Sequence, residues 1–458
     1  MVQFLSGEDV RRGTDTIVLG VAAEKRVIGF GSPRPTSSLV SEQFIAYDGD
    51  AHLCTVAPTR SGKGRGVIIP NLLSYTGPVI VCDMKGENYQ VTARRRRELG
   101  HQVVKLDPFS VIDDQSDSLN PLDLFQLMGS DLECDAQSLA EMLARGIKGM
   151  KEPFWDINGC GFTSGLLAYA ATQGEDAKRH IMTVVERLTA DDIVYNLAVV
   201  LDTIGKNIAP MARQEIASVL QMPDITRGGV IATAQTYFKP FANEKVGRCL
   251  RTSTFRLKDV VLGKPLSIYI IIPPNRMHSH RGLLKLFFGT LLAALLSRRQ
   301  CPEQKTLVIL DEAAQLESFP LLETMLTLSA GYGVRVHSFW QDLSQLVTHY
   351  PTSWKTILNN SAVLQTFGIY NRDMAMQWGH YLQHGPGELR SLHADEQILS
   401  IHGHEELRCQ RLDYLKMRCY AGLADGNGFY RSGRCAGLGQ EPAVRREVRV
   451  PQKICITK

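Results

Sequence analysis

Ala57-Pro58-Thr59-Arg60-Ser61-Gly62-Lys63-Gly64-Arg65-Gly66 is the stretch whose reading decides the fold. It follows Leu53-Cys54-Thr55-Val56, a short apolar run with strand character, and precedes Val67-Ile68-Ile69-Pro70-Asn71-Leu72-Leu73, which can begin a helix. A strand, a glycine-rich turn carrying Gly-Lys, and then a helix form the setting of a phosphate-binding loop. Glycines let backbone N–H groups turn inward around phosphate oxygens, and the helix N-terminus adds unpaired donors and partial positive charge. Thr59, Arg60, Ser61, Gly62, Lys63, Gly64 and Arg65 are the expected nucleotide-binding residues. Lys63 would reach the β- and γ-phosphates as a compact point charge. The stretch departs from G-x-x-x-x-G-K-[ST] at both ends, with Ala57 first and Gly64 last. Gly64 lacks the hydroxyl that usually ligates Mg²⁺, so Thr59, Ser61 or a water is the expected substitute.

A second signal lies far downstream. Thr306-Leu307-Val308-Ile309-Leu310 is an apolar strand that ends in Asp311-Glu312. With a phosphate loop upstream, this is the Walker B arrangement rather than an ordinary polar strand end. Asp311 is the expected Mg²⁺ residue, and Glu312 the group that orients and polarises the attacking water. A further strand, Gly333 to Gln341, ends in a glutamine that either senses the γ-phosphate or caps a loop.

The intervening chain organises these signals. Pro78-Val79-Ile80-Val81-Cys82-Asp83 and Val103-Val104-Lys105-Leu106-Asp107 read as buried parallel strands. Asp83-Met84-Lys85-Gly86-Glu87 would sit at a carboxyl strand end, where such sheets bind ligands. The helix between them carries Arg94-Arg95-Arg96-Arg97, either a solvated face or a phosphate-contacting stripe. The β-α-β-α-β order implies a doubly wound sheet. Helical periodicity dominates 126–262, which reads as an all-α insertion, with Phe154 and Trp155 as packing residues. The sheet pattern returns at Leu266–Pro274, followed by a buried helix at Leu283–Leu296, and Ala362–Gly368 reads as a last strand. The expected divisions are a lead-in at 1–39 with a turn-rich Gly29–Pro35 stretch, a sheet domain at 40–125 and 263–430 split by the insertion, and a basic tail at 431–458 with Arg445, Arg446 and Arg449.

Composition narrows the class. A chain of 458 residues with 44% hydrophobic and 21% charged residues has the makeup of a globular protein with a large core. A net charge of +4 permits a polyanionic partner without demanding one. The 10 cysteines are scattered, with no C-x-x-C pair, which argues against zinc ribbons and a disulfide framework and for a reducing compartment. The longest apolar run, Leu286 to Leu296, is too short for a bilayer, and no secretory signal opens the sequence.

Read together, the motifs resemble those of type IV coupling proteins, in particular the TraG-like branch of conjugation and secretion ATPases. The resemblance rests on 57–64, Asp83-Met84-Lys85-Gly86-Glu87, Leu106-Asp107-Pro108-Phe109, Ser118-Leu119-Asn120-Pro121-Leu122, Leu310-Asp311-Glu312-Ala313-Ala314-Gln315-Leu316, Gln341 to Leu346, Asn360, and Phe367-Gly368. It runs from about 40 to about 430, and glycine after the loop lysine is common in that branch. It implies a RecA-like motor, hexameric around a channel, that binds ATP and Mg²⁺ and recruits DNA–relaxase complexes or effector proteins to a secretion channel. Lys63, Asp311, Glu312 and Gln341 would carry the chemistry. The all-α part would receive substrate, with single-stranded DNA the nucleic acid expected. The usual transmembrane helices are not evident, so the expectation is a naturally soluble variant, a removed anchor or a separate membrane protein, with the inner membrane reached through such a partner or removed anchor. Some relatives carry an arginine after Walker B that acts in trans; Leu328 to Gly333 has none, leaving Arg335 or Arg372. Two alternatives stand beside the motor: a nucleotide-gated recruitment adaptor, and a cytosolic FtsK-like DNA translocase.

Overall fold

The apolar runs become adjacent strands of one twelve-stranded sheet in the computed structural model, which describes residues 1–22, 43–144, 153–174, 176–204 and 207–428. The strands are β1 (Val2–Leu5), β2 (Ile17–Val21), β3 (Phe44–Tyr47), β4 (His52–Val56), β5 (Val79–Cys82), β6 (Gln102–Leu106), β7 (Leu266–Ile270), β8 (Thr306–Leu310), β9 (Val334–Trp340), β10 (Ser361–Thr366), β11 (Glu396–Ile401) and β12 (Leu407–Gln410). Their order is β1-β3-β2-β12-β11-β10-β4-β9-β8-β5-β7-β6. From β10 to β6 every pairing is parallel, and from β1 to β10 every pairing is antiparallel. The sheet is thus mixed, with a wholly parallel half and a wholly antiparallel half. The first 22 residues are built into it: β1 and β2 both pair with β3, and β2 meets β12. The Gly29–Pro35 stretch and the basic tail lie outside the described residues.

Period-two alternation sorts the central strands between two cores. Cys54, Val56, Ile80, Cys82, Val308 and Leu310 join the larger cluster, while Leu53, Val79, Val81, Leu307 and Ile309 join the opposite one. The short helices α1 (Gly7–Arg12) and α2 (Ile69–Ser74) pack on each other, and α2 packs on the longer α3 (Glu87–Glu98). Between β6 and β7 come α4 (Leu132–Ala144), α5 (Pro153–Ala171), α6 (Ile181–Leu188), α7 (Ile193–Ile204), α8 (Pro210–Gln221), α9 (Asp224–Phe238), α10 (Glu244–Arg251) and α11 (Leu257–Val261), with no strand among the described residues. Helix α5 is their hub, packing on α4, α8 and α9. Trp155 fills the space over Gly229, whereas Phe154 stands half exposed.

Helix α12 (Pro274–Leu296) is longer than the apolar run alone suggests and breaks at His280, where φ is −125°. It is the one described helix long and apolar enough to cross a membrane. Leu283, Leu284, Leu286, Phe287, Phe288, Leu291, Leu292 and Leu295 are all fully buried, and α12 packs on α4, α11 and a helix at Pro320–Leu328 (α13). It therefore serves as a core helix of the fold.

The Arg94–Arg97 run differs from both of its sequence readings. Arg96 is fully buried and donates to Gly77 O at 2.6 Å, Ser267 Oγ at 2.8 Å and Tyr75 O. Arg95 bonds Leu73 O at 3.2 Å and Arg11 O at 2.8 Å, and Arg94 pairs with Asp425 at 2.7 Å. Only Arg97 is exposed. Helix α2 ends at Ser74 and leaves carbonyls that need donors, and the end of α3 delivers arginines to them. The run is an internal clamp.

Candidate active site

The parallel strands present their carboxyl ends to one edge, and the site is assembled there. The phosphate loop leaves β4 at Ala57, whose N–H is held by Trp340 O at 3.0 Å. Arg60 adopts a left-handed φ of 64° and Gly62 a φ of 90°, so the chain doubles back before the helix. Ser61 donates from Oγ to Pro58 O at 2.6 Å, which commits its hydroxyl to the loop itself. Thr59 and Arg60 are exposed at the tip. Lys63 Nζ lies across the loop and donates to Ala57 O at 2.7 Å. Beneath the loop, Gly368 has a φ of 68°, and a methyl group there would sit 2.9 Å from Ser61 Cβ. That close approach gives the Phe367-Gly368 pair a physical reason.

Strand β9 lies between β4 and β8, so Gln341 emerges between the loop strand and the Asp311-Glu312 strand. Its Nε2 donates to Glu312 Oε1 at 2.8 Å, and its own N–H is held by Gln345 Oε1 at 2.9 Å from the next helix, α14 (Leu343–His349). Asn88 Nδ2 reaches Asp311 Oδ2 at 3.4 Å. Asp83 is fully buried, and its carboxylate accepts the Tyr89 N–H at 2.9 Å.

Charge in this edge is concentrated and poorly hydrated. Burial pushes Asp83 up to about 7. Burial first, then the neighbouring Glu312 and Glu87, pushes Asp311 up to about 6, with Lys63 opposing. Burial pulls Lys63 below the usual lysine range, while Glu312 and Asp311 pull it back. Two carboxylates, Asp311 and Glu312, act on the half-buried Lys63 ammonium, and a cation beside Asp311 would relieve the excess negative charge.

Several neighbours escaped sequence reasoning. Asn88 and the pair Arg411 and Asp413 carry no motif signal of their own, and Gln345, inside the Gln341 to Leu346 motif, has no role of its own in the sequence reading. Arg65 is held by Asp413 in a fork, Nε to Oδ1 at 2.7 Å and Nη2 to Oδ2 at 2.6 Å. Asn427 Nδ2 holds Glu87 Oε1 at 2.8 Å, and a methyl group on Gly64 would lie 3.9 Å from that oxygen. Of the two arginines that stood in for a trans-acting group, Arg335 is buried and bonds Asp15 O at 3.1 Å and Asp48 Oδ1 at 3.4 Å. That internal engagement removes it. Arg372 is exposed at the start of a helix, Arg372–Tyr381.

Residues 20–378 match the family described as type IV secretory system conjugative DNA transfer. The chain belongs to that family. It is similar to the conjugal transfer protein TraG of Escherichia coli, 26% identical over 321 residues, which cover 66% of this chain and 50% of TraG. It is also similar to the VirD4 protein of Agrobacterium fabrum, 26% identical over 465 residues, covering 88% of this chain and 66% of VirD4. The chain spans about half the length of the TraG proteins it matches. Its fold matches the conjugative coupling protein TrwB with a TM-score of 0.62 at 13% identity, over 79% of this chain and 85% of that one. TrwB in complex with ADP and Mg²⁺ matches with a TM-score of 0.61 at 14% identity, with the same coverage. VirB4 of Thermoanaerobacter pseudethanolicus matches with a TM-score of 0.52 at 10% identity, over 87% of this chain and 96% of that one. These likenesses establish the P-loop α/β fold of this family member, and the assignment of its residues rests on the geometry above.

Proposed function

We propose that this chain is the ATP-driven part of a coupling protein, in which nucleotide hydrolysis helps move DNA with its relaxase, or effector proteins, toward a type IV secretion channel. The observation that carries the reading is the hydrogen bond from Gln341 to Glu312 on the strand between the phosphate loop and Asp311. A structural glutamine would need no such address. A nucleotide switch needs a polar group that touches both the catalytic carboxylate and the end of the phosphate chain.

Lys63 and the N–H groups of 59–65 bind and orient the phosphates. Lys63 would leave Ala57 O for the β- and γ-phosphates, exchanging one carbonyl for two anionic partners. Glu312 holds and polarises the attacking water, with Gln341 fixing its carboxylate. The donor chemistry suits Mg²⁺: hard carboxylate oxygens, with Asp311 raised in pKa by burial first and then by Glu312 and Glu87, a cost that a cation would relieve. Asp311 would hold the ion, and Glu87 faces the space left by Gly64. When bound, Mg²⁺ neutralises charge developing on the phosphates.

The remaining parts of the reading follow the family: a homohexameric ring in the bacterial cytoplasm, held at the inner membrane by a partner or anchor. The division into a sheet domain at 40–125 and 263–430 with an all-α substrate-receiving part at 126–262 belongs to the same reading. The test is ATP turnover against protein concentration, with and without single-stranded DNA, for wild type and Glu312→Gln. Turnover that rises with assembly, responds to DNA and disappears in the variant supports the motor. Nucleotide binding with background turnover under every condition replaces it with the recruitment adaptor.

A further inference from the structure

The phosphate loop and its helix carry glycines one turn apart, Gly62 and Gly66. A methyl group on either would lie 2.9 Å from Nη2 of Arg411, too close for carbon and nitrogen. The side chain that needs this space comes from 349 residues downstream of Gly62, just past the end of β12. Its Nη2 donates to Gly62 O at 3.1 Å and its Nη1 to Ala394 O at 3.0 Å. The guanidinium lies over the ring of Phe367, 3.8 Å from the centroid. The Arg411 N–H is itself fixed by Asp395 O at 2.7 Å.

The point of attachment matters. Gly62 O also accepts the Gly66 N–H at 2.8 Å, so it closes the helical turn that begins with Lys63. Whatever fixes this carbonyl fixes the direction in which the following N–H groups point. Phe367, the stacking partner, adjoins Gly368, which supports Ser61 from below. One guanidinium therefore joins the loop, the end of β10 and the segments flanking β11 and β12. No carboxylate bonds it among the described residues, and its Nε–H is buried without an acceptor. Burial pulls its pKa down to about 10, which still leaves it charged at neutral pH. Two carbonyls and a ring face call for a planar fork, which lysine cannot reproduce.

Resting on the nucleotide reading above, we infer that Arg411 is the positioning residue of the phosphate loop: lodged between Gly62 and Gly66, it locks the Gly62 carbonyl and so presets the loop for the polyphosphate of a nucleotide. Arg411 acts through the loop and touches no reacting atom.

The test is equilibrium binding of fluorescent ADP with Mg²⁺ to the whole chain, alongside thermal melts. The variants are Arg411→Ala, Arg411→Lys, Gly66→Ala, the Gly66→Ala/Arg411→Ala double, and Lys63→Ala as the control that abolishes binding. Arg411→Ala is expected to weaken ADP by about tenfold or more, the scale of a lost charge-assisted hydrogen bond with its carbonyl left in place. Arg411→Lys should remain nearly as weak, and it carries the test where the alanine variant does not fold. Gly66→Ala should weaken ADP in the wild-type background and clearly less in the Arg411→Ala background, where only the 3.1 Å approach to Leu412 O still resists the methyl group. Full recovery in Arg411→Lys would overturn the inference by assigning the effect to charge. So would additive losses in the double variant, or wild-type affinity in Arg411→Ala. If wild type itself ignores ADP, the nucleotide reading falls and takes this inference with it; if wild type binds and Lys63→Ala does not, only the role of Arg411 is at stake.

Discussion

Gln341→Glu is the most informative single change at the active edge, because it alters one atom in a contact whose geometry is fixed. In wild type an amide N–H donates to Glu312 Oε1 at 2.8 Å. The variant places a second carboxylate oxygen there. The backbone of position 341 stays in place, because its N–H is held by Gln345 and it directly follows the paired strand β9, so only side-chain rotation can relieve the contact. Two unit charges 2.8 Å apart repel by about 6 kcal/mol at an effective dielectric of 20. That repulsion drives the Glu312 carboxylate out of its wild-type position. Glu312 then no longer presents a fixed anionic oxygen to water. Losing even half of that interaction from the transition state lowers the rate by about a hundredfold, at about 1.4 kcal/mol for each factor of ten. The assay is single-turnover ATP hydrolysis with Mg²⁺, with ADP affinity as the control expected to stay within about threefold. Hydrolysis within twofold of wild type, with ADP still bound, would refute the role given to the Gln341–Glu312 contact.

Two predictions concern stability. Arg96→Met leaves the carbonyls of Tyr75 and Gly77 and the Ser267 hydroxyl without their buried donor, at a cost of about 3–5 kcal/mol in urea unfolding; a loss under 1 kcal/mol would show that the clamp does not hold α2 to α3. Asp83 titrates higher in the folded protein, about 7, than in the unfolded chain. The folded state therefore keeps a proton that the unfolded state releases, so this group's contribution falls as pH rises from about 4 to about 7. Asp83→Asn should match wild type near pH 4.5 and exceed it by about 1–3 kcal/mol at pH 8. Equal stability at both pH values would mean that the N–H groups of Tyr89 and Lys85 offset the burial.

Much of this protein was legible along the chain. The loop at 57–66 and the Asp311-Glu312 pair announced themselves because each is a local pattern, a turn or strand end whose chemistry needs residues adjacent in sequence. The apolar runs gave the strands for the same reason: a strand buried on both faces must be apolar throughout. The buried helix was visible as well, although its polar first turns at Pro274–His280 were hidden by lack of apolar periodicity.

What tertiary structure alone decided were relations between distant segments. Sheet order set β9 between β4 and β8 and so turned Gln341 from a strand-end glutamine into the partner of Glu312. The arginine run at 94–97 looked like a charged surface because sequence shows charge but not the carbonyls waiting at the end of α2. Arg411 was silent for a similar reason: its partners are a carbonyl, a ring and the empty side of two glycines, none of which leaves a complementary charge to find. Local backbone and burial preferences are written residue by residue, whereas hydrogen bonds to main-chain carbonyls depend only on where the chain passes, and that is fixed by the fold.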